Sequence, residues 1–258
     1  MSAVRQIQSR SNPQWQRLRK LAQKPVAYRT LGEVWVEGEH LCGEVVRRGQ
    51  PMRCAVVGES AWEQPVFREL AMSAPEVLLL PDALLAALSS MDSAPPIAMV
   101  LPLPDTIDPD PAAPTVVLDR LQDAGNVGTI LRSAAAFGFT QVLALKGSAA
   151  LWAPKVLRAG MGAHFVLRLV EGCEPDSLDQ LKIPLLATSS HAAEKIDALP
   201  LPWPCGWVLG HEGQGLAAEV SARCERVLRI AQPGGMESLN VAAAATVCLY
   251  ESSRQRQR

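Results

Sequence analysis

Residues 116–139 read VVLDRLQDAGNVGTILRSAAAFGF, and this stretch decides the class of fold. A continuous apolar run ends at Asp119, a short loop with two glycines and Asn126 follows, and a helical pattern then carries Arg132. Strands that are buried on both faces of a parallel sheet have such uninterrupted apolar sequences. Because ligands bind beyond the carboxyl ends of these strands, we expect Asn126 and Arg132 at a ligand-binding edge.

Similar apolar runs alternate with helical patterns through the rest of the C-terminal part. The predicted strands are Thr115–Asp119, Gln141–Leu145, Phe165–Leu169, Leu185–Thr188, Trp207–Gly210 and Val227–Ile230. The predicted helices lie at about 127–137, 153–159, 177–182, 216–223 and 238–253. This order of elements predicts an α/β domain, with helices on both faces of a parallel sheet, over residues 115–258.

The N-terminal part predicts a smaller α/β domain over residues 1–101. Asn12 followed by Pro13 is typical of a helix start, because asparagine caps a helix and proline fits its first turn. The other predicted elements are strands at 33–37, 53–57, 77–80 and 97–101 and helices at 40–48, 61–71 and 82–88. Residues 101–115, LPLPDTIDPDPAAPT, hold five prolines, so we place an extended linker at residues 102–114.

The net charge of −1 argues against a protein with a basic body, but the charge is unevenly distributed. Residues 1–50 carry nine Lys or Arg against four acidic residues, whereas residues 51–118 carry two against nine. A local excess of this kind can bind a polyanion even when the total is near zero. A solvated basic helix would give the same pattern, so charge alone leaves both interpretations open.

The six cysteines contain no C-x-x-C pair and are not accompanied by a histidine cluster, so we expect buried, reduced thiols and no metal. The N-terminus has no apolar stretch, and the longer apolar runs are broken by proline and aspartate. We therefore expect a cytoplasmic protein without a membrane span.

Two more loops follow predicted strands and carry unusual polar residues. Residues 207–220, WVLGHEGQGLAAEV, place Glu212 among three glycines, in an order that fits neither a dinucleotide fingerprint nor a P-loop. Residues 230–251, IAQPGGMESLNVAAAATVCLYE, predict a helix that Ser238 opens, with Asn240 in its first turn. Each loop taken alone is also compatible with a structural turn or cap. Among apolar neighbours, Arg132 would require an anionic partner if it were buried.

Taken in order, the segments NVGTILRSAAAFGF, VLGHEGQGL and ESLNVAAAATVCLYE resemble the three signature motifs of the SpoU/TrmH family. Its members are RNA ribose 2′-O-methyltransferases of the SPOUT class that use S-adenosyl-L-methionine (AdoMet). The segments IQSRSNPQWQRLRKLAQ and VWVEGEHL are similar to the family's N-terminal pattern. The resemblance implies a deep trefoil knot in the C-terminal domain, an N-terminal RNA-binding domain like a ribosomal protein, and a homodimer.

The resemblance also implies roles for particular residues. The family's catalytic positions fall on Asn126, Arg132, Glu212, Ser238 and Asn240. The loops that contact AdoMet fall around Thr188, Gly210, Ile230 and Leu239. One departure concerns the last loop, because Ala231 stands where family members commonly have proline.

Methyl transfer from a sulfonium to a ribose hydroxyl is an in-line displacement that requires positioning and loss of a proton, and no metal. A guanidinium stays protonated, so we expect Arg132 to hold an RNA phosphate and stabilise the developing alkoxide. We expect the RNA, either ribosomal or transfer RNA, to contact the basic N-terminal residues Arg10, Arg17, Arg19 and Lys20.

Two other functions remain open at this point. One is a protein of the same fold that binds RNA without turnover. The other is a nucleotide-dependent oxidoreductase on a Rossmann sheet, although the first predicted strands lack the glycine fingerprint of that class.

Overall fold

The structure of the protein is a computed structural model that describes residues 2–236 and 238–256, and these form two compact units. The first unit joins the chain up to Asp105 with Trp152–Phe165, and the second joins Thr106–Leu151 with the chain from Val166 onward. A single division at residues 102–114 therefore does not separate the units completely. The segment 152–165 folds with the first unit because Leu157 lies in its hydrophobic core.

The strands and helices are numbered along the chain. The strands are β1 (Ala3–Gln6), β2 (Glu33–Glu37), β3 (Cys54–Gly58), β4 (Glu76–Leu80), β5 (Ile97–Pro102), β6 (Thr115–Leu118), β7 (Gln141–Leu145), β8 (Arg168–Cys173), β9 (Leu185–Thr188), β10 (Gly206–Leu209) and β11 (Arg226–Leu228). The helices are α1 (Pro13–Gln23), α2 (Ala27–Leu31), α3 (Glu39–Arg47), α4 (Glu59–Trp62), α5 (Pro65–Met72), α6 (Asp82–Ala86), α7 (Ala124–Ala136), α8 (Pro154–Gly160), α9 (Ala218–Ser221) and α10 (Val241–Arg256).

The first unit is built on a mixed sheet in the order β1-β4-β3-β5-β2. Strands β1, β4 and β3 run parallel, whereas β5 pairs antiparallel with both β3 and β2. Helix α1 begins as predicted, because the side chain of Asn12 accepts hydrogen bonds from the backbone N–H groups of Gln14 and Trp15. Trp15, Leu18 and Leu21 of this helix are buried. The sequence did not predict β1, which is short and exposed along its whole length.

The second unit is built on a six-stranded sheet in the order β11-β9-β10-β6-β7-β8, and every pairing in it is parallel. Neighbouring residues of β10 show that both faces are covered. Val208 packs in a core cluster with Val220 of α9, whereas the indole N–H of Trp207 donates to the Ser252 hydroxyl of α10 at 2.9 Å. The predicted parallel sheet with helices on both faces is confirmed.

Several element boundaries differ from the sequence prediction. The third strand of this sheet is Arg168–Cys173 and not 165–169, because a 3-10 turn occupies Ala163–Phe165. The predicted helix at 177–182 is a 3-10 helix at Pro175–Gln180. In the first unit, the helix predicted at 61–71 is divided into α4 and α5 because Pro65 starts a new helix.

The six cysteines are free thiols, and all of them except the half-buried Cys224 are buried. Burial raises the pKa of the Cys205 and Cys224 thiols to about 11. Over residues 2–236 and 238–256, no helix is long and apolar enough to cross a membrane. Within the same ranges, no group of three or more His, Cys, Asp or Glu side chains could hold a metal ion.

Candidate functional site

The loops after β6 and β10 are held together by a buried carboxylate. Asp119 follows β6, is 2% exposed, and accepts hydrogen bonds from the neighbouring guanidinium of Arg120 and from the backbone N–H of Ala217. Arg120 also donates to the Gln214 side chain and to the carbonyl oxygen of Gly215, each at 3.2 Å. The hydrogen bond with Asp119 raises the pKa of Arg120. This pair fixes the loop that carries Glu212.

The Asp119–Arg120 pair was not predicted from the sequence. A signal was present, because an aspartate that ends a fully apolar strand must find hydrogen-bond donors or remain unpaired in the protein interior. The distant partners of the pair could not be predicted from the sequence. Ala217, which donates to Asp119, and Gln214, which accepts from Arg120, lie more than ninety residues further along the chain.

Gly210, which directly follows β10, has a structural reason to be glycine. A Cβ atom placed on it would lie 2.5 Å from the carbonyl carbon of Gly215, closer than any side chain can tolerate. The close approach lets His211 and Gly215 exchange two backbone hydrogen bonds of 3.1 and 2.8 Å. Glu212 is exposed on this closed loop.

Three predicted site residues form one chain of hydrogen bonds. The side-chain amide of Asn126 donates to Oε1 of Glu212 at 3.1 Å, and its carbonyl oxygen accepts from the side-chain amide of Asn240 at 3.1 Å. Asn126 lies in the first turn of α7, after β6, whereas Glu212 and Asn240 lie in the loops after β10 and β11. The structure therefore brings Asn126, Glu212 and Asn240 together at the carboxyl edge of the parallel sheet.

Helix caps hold two members of this chain, Asn126 in the middle and Asn240 at one end. Oδ1 of Asp123 accepts from the backbone N–H of Asn126 at 2.7 Å and caps α7. Oδ1 of Asn240 accepts from the backbone N–H groups of Ala242 and Ala243 and caps α10 in the same way. These bonds leave the amide of Asn240 free to donate to Asn126.

The sequence predicted that Ser238 opens the last helix, and this prediction is wrong. Helix α10 begins at Val241, and its capping side chain is Asn240. Ser238 is exposed and makes no side-chain hydrogen bond with another residue of the described ranges. Asparagine and serine both cap helices well, so the sequence alone could not decide between positions 238 and 240.

Arg132 lies on the exposed face of α7, so the condition of burial under which it would require an anionic partner is not met. Its guanidinium forms neither a hydrogen bond nor an ion pair with any part of the chain that the structure describes. The neighbouring Ser133 points inward, where its hydroxyl hydrogen-bonds Thr246 of α10 at 2.8 Å. The arginine is therefore available to an anion from outside the chain.

The four residues predicted to contact the cofactor lie at the same edge of the sheet. Thr188 ends β9, Gly210 follows β10, and Ile230 follows β11. These strands are neighbours in the order β11-β9-β10 and run parallel, so their carboxyl ends meet. Leu239 precedes α10 and is 40% exposed.

A cavity of about 500 Å³ lies between the loops after β9 and β11. Two buried polar atoms of its lining, Nε of Arg229 and Oε1 of Gln232, lack hydrogen-bond partners in the described ranges. The backbone of Lys195 pairs with that of Arg229, which places a second cation beside the first. A ligand with both an acceptor and a donor would satisfy these atoms. The lining consists of Ser190, His191, Lys195, Arg229, Ile230, Ala231, Gln232, Pro233 and Met236.

The basic residues expected to contact RNA differ in their surroundings. Arg10, Arg19 and Lys20 are exposed. Arg19 lies against the Trp15 ring, with its guanidinium carbon 5.7 Å from the ring centroid. Arg17 instead forms an ion pair with Glu33, which is 8% exposed, at 2.5 Å. Arg17 therefore has a structural role in the first unit.

A sequence model of the SpoU rRNA methylase family matches residues 113–250, more than half of the chain. The chain is 31% identical, over 98% of its length and 95% of the relative, to a tRNA/rRNA methyltransferase of Synechocystis that has not been characterised. It is 28% identical to the 23S rRNA (guanosine(2553)-2′-O)-methyltransferase RlmP of Bacillus subtilis, with 96% and 98% of the two chains covered.

Solved structures resemble the whole chain. The SpoU methyltransferase AviRb from Streptomyces viridochromogenes, crystallised with AdoMet, superposes with a TM-score of 0.83 at 26% identity. The match covers 95% of this chain and 99% of that one. A crystal structure of an RNA 2′-O ribose methyltransferase gives a TM-score of 0.82 at 29% identity, over 98% of this chain and all of the other.

Proposed function

The chain belongs to the SpoU rRNA methylase family, and from this premise we propose that it is an enzyme that transfers a methyl group from AdoMet to a ribose 2′-hydroxyl of RNA. The observation that carries the proposal is the hydrogen-bonded chain of Glu212, Asn126 and Asn240 at the carboxyl edge of the sheet. A protein that only binds RNA would not require these three side chains to be joined by hydrogen bonds, and Arg132 is unpaired within the described residues.

The residues present fit AdoMet. The cavity beside Ile230 has a volume within the range of cofactor sites, and its unpaired Arg229 and Gln232 atoms match a ligand that carries both an anionic and a donor group. When bound, AdoMet supplies an electrophilic methyl group on a sulfonium. Thr188, Gly210, Ile230 and Leu239 would hold it from the adjoining loops. Ala231 in place of the family's proline lies in the same lining.

Arg132 would act on the RNA as a permanently charged cation. Its guanidinium is exposed and has no partner within residues 2–236 and 238–256, so it can bind a phosphate next to the target ribose. A guanidinium does not act as a base at neutral pH. Its contribution would be to position the ribose and to stabilise negative charge that develops on the 2′-oxygen as the proton leaves.

Asn126, Glu212 and Asn240 would orient the substrate. Asn126 uses both ends of its amide group within the chain of hydrogen bonds, which fixes its rotamer. Glu212 has its second oxygen available at an exposed position, where it can accept a hydrogen bond from a ribose hydroxyl or from a guanidinium. Ser238, which is exposed three residues before α10, would contact the substrate directly.

The second unit would contain the deep trefoil knot of the SPOUT class. Helix α10 follows the edge strand β11 in sequence, yet it packs on α7 and on β10, which lies inside the sheet. Such a return of the chain from the edge to the interior of the sheet supports a threaded C-terminal segment.

The first unit would bind the substrate, which we propose to be ribosomal RNA. Three of its basic residues, Arg10, Arg19 and Lys20, are exposed, and two relatives that match nearly the whole chain act on assigned nucleotides of 23S rRNA. Free and mostly buried thiols agree with a cytoplasmic enzyme, because that compartment keeps cysteines reduced.

The enzyme would act as a homodimer. Ala243, Val247 and Tyr250 share one face of α10 and are all exposed. An apolar face of this kind is suited to a second copy of the chain. Sedimentation of the protein should then give a dimer, and a Val247→Glu variant should give a monomer.

The proposed reaction can be tested by mapping 2′-O-methylation across total RNA from cells with and without the gene. We expect one or a few ribosomal RNA sites to lose the modification, and purified enzyme with AdoMet should restore it. An unchanged map, together with no methyl transfer to ribosomal RNA in vitro, would refute the proposed function.

A further inference from the structure

A second pocket, of about 470 Å³, lies in the first unit and is separate from the loops described above. We propose that it binds one unpaired nucleobase of the substrate RNA, a proposal that rests on the proposed function. Its walls are the start of β2, the end of β5, the loop before β3, and two aromatic residues, Trp152 and Phe165.

The aromatic residues provide flat surfaces for stacking. Trp152 and Phe165 are both partly buried, and each packs against the hydrophobic core of the first unit while also lining the pocket. The Trp152 ring is further supported by His164, whose ring centroid lies 5.3 Å away. Unpaired bases stack on such aromatic side chains in proteins that bind single-stranded RNA.

The polar side chains around these rings are unpaired. Neither the side chains of Gln50, Arg53 and Asp105 nor the indole N–H of Trp152 bonds to any residue within the two described ranges. Together they offer an amide with donor and acceptor, a cation, a carboxylate and an N–H donor. A nucleobase has donors and acceptors in its plane, so it can use these groups while its faces contact the rings.

The charge of the pocket favours a base over a phosphate. Arg53 is its one cationic lining residue and is offset by Asp105, so an isolated phosphate would gain little net attraction. The volume is within the usual range for small organic groups. A strand that follows the basic N-terminal surface could insert one base here while its phosphates contact Arg19 and Lys20.

The proposal can be tested by measuring how tightly the full-length protein binds a short single-stranded RNA labelled with fluorescein, and an abasic strand with the same phosphates. The variants are Trp152→Leu, which removes the ring, Trp152→Phe, which keeps an aromatic face, and Arg53→Gln, which alters an exposed side chain. Trp62→Leu is the matched control, because Trp62 also packs against this core and does not line the pocket.

We expect Trp152→Leu to weaken binding of the normal strand at least about fivefold and to remove its advantage over the abasic strand. The salt dependence should stay unchanged, because the phosphate contacts remain. Arg53→Gln should reduce the same advantage. Trp152→Phe should preserve most of it, and Trp62→Leu should preserve all of it. Thermal unfolding would establish that each variant is folded. If Trp152→Leu does not fold, the result for Arg53→Gln decides whether the pocket binds a base.

The proposal is overturned if folded Trp152→Leu and Arg53→Gln proteins keep the wild-type preference for the normal strand, or if they lose affinity for both strands equally. It is also overturned if nucleoside monophosphates compete as well as the RNA strand, since the pocket would then serve a free nucleotide. Each of these outcomes is compatible with methyl transfer by the wild-type enzyme. If the proposed function itself is wrong, the wild-type protein will show no methyl transfer.

Discussion

The side-chain amide of Asn126 lies 3.1 Å from Oε1 of Glu212, although 86 residues separate the two in sequence. The bond joins the first turn of α7, which follows β6, to the loop after β10. Strands β6 and β10 are neighbours in the sheet. Asn240 donates to the carbonyl oxygen of the same amide. The side chain at position 126 must therefore supply one donor, to Glu212, and one acceptor, for Asn240, in a fixed orientation. A carboxylate in its place could not supply the donor.

An Asn126→Asp substitution should therefore be least tolerated at high pH. Two carboxylates at this distance repel each other, so the pKa of the new carboxyl should be raised in the folded protein. A group with a raised folded-state pKa loses its stabilising contribution as the pH rises through that value. We expect the variant to lose about 1 kcal/mol more stability, relative to wild type, at pH 8 than at pH 5.

Urea unfolding at several pH values would measure this difference. Asn126→Ala is the control, because it removes both hydrogen bonds without adding a charge and should lower stability equally at each pH. If Asn126→Asp and Asn126→Ala show the same pH profile, Asn126 does not couple to the Glu212 carboxylate in solution.

Replacing Arg132 should affect the reaction and leave cofactor binding intact. Arg132 is exposed and makes no hydrogen bond inside the described chain, so Arg132→Ala should fold normally. Loss of a charge that stabilises a developing anion costs on the order of a hundredfold to a thousandfold in rate. Methyl transfer to ribosomal RNA and AdoMet affinity by calorimetry would separate the two effects. An active Arg132→Ala enzyme would rule out this role.

Much of the second unit could be predicted from the sequence because its strands are long apolar runs. All six strands of its sheet were expected, and five of them lie within two residues of their predicted starts and ends. The bounds of the third strand were predicted wrongly, because the residues before Arg168 include a 3-10 turn with the same apolar composition as a strand. Local composition does not distinguish these two conformations.

Contacts between distant residues could not be predicted. The motifs identified Asn126, Glu212 and Asn240 separately, but no local pattern states that Asn126 lies between the other two. The sequence also left the exposure of Arg132 open, because its neighbours Leu131 and Ala134 are buried while the arginine is exposed. The segment 152–165 also joins the first unit through distant contacts, because Leu157 lies in that unit's core and Arg158 pairs with Glu37.

That contact should be important for the stability of the first unit. Glu37 is 5% exposed, accepts from Arg158 at 2.5 Å, and also accepts from the Trp35 indole at 3.2 Å. Arg158→Met would leave a buried carboxylate without its cation, which costs about 3 kcal/mol. Chemical unfolding monitored by tryptophan fluorescence should show this loss.

Two further variants check the cause of that loss. Adding Glu37→Gln to Arg158→Met removes the unpaired charge and keeps an acceptor for Trp35, so most of the stability should return. Arg68→Met breaks an exposed ion pair with Glu63 and should change stability by less than about 0.5 kcal/mol. A double variant as unstable as Arg158→Met would show that packing, and not charge, explains the effect.

The basic residues of α1 should divide into RNA-binding and structural ones. Replacing Arg19 and Lys20 with Gln should reduce the salt dependence of RNA binding, by about 0.7 in the log–log slope for each lost contact with a single strand. Arg17→Gln should mainly lower stability, because Arg17 pairs with the buried Glu33. Arg223→Gln is the control, since Arg223 is bound by Asp176 and Asp179 in the other unit. An unchanged slope in the Arg19 and Lys20 variant would place the RNA elsewhere.

The unpaired atoms of Arg229 and Gln232 should recognise the amino-acid end of the cofactor. An α-amino carboxylate offers an acceptor for the guanidinium and a donor for the amide oxygen, which are the two bonds that the cavity lacks. S-adenosylhomocysteine has this group, and 5′-methylthioadenosine lacks it while keeping the adenosine. Wild-type protein should therefore bind S-adenosylhomocysteine more tightly in calorimetry. Arg229→Met should reduce that preference about tenfold, the value of a hydrogen bond to a charged group.

Arg226→Met is the matched control for this measurement, because Arg226 begins β11, which Arg229 directly follows, and pairs with Glu194 at 3.3 Å outside the cavity lining. It should keep the preference for S-adenosylhomocysteine. If Arg229→Met weakens both ligands by the same factor, the guanidinium contacts the adenosine part. If it weakens neither, the cavity beside Ile230 does not receive the amino-acid end, and the two buried atoms must be satisfied by water.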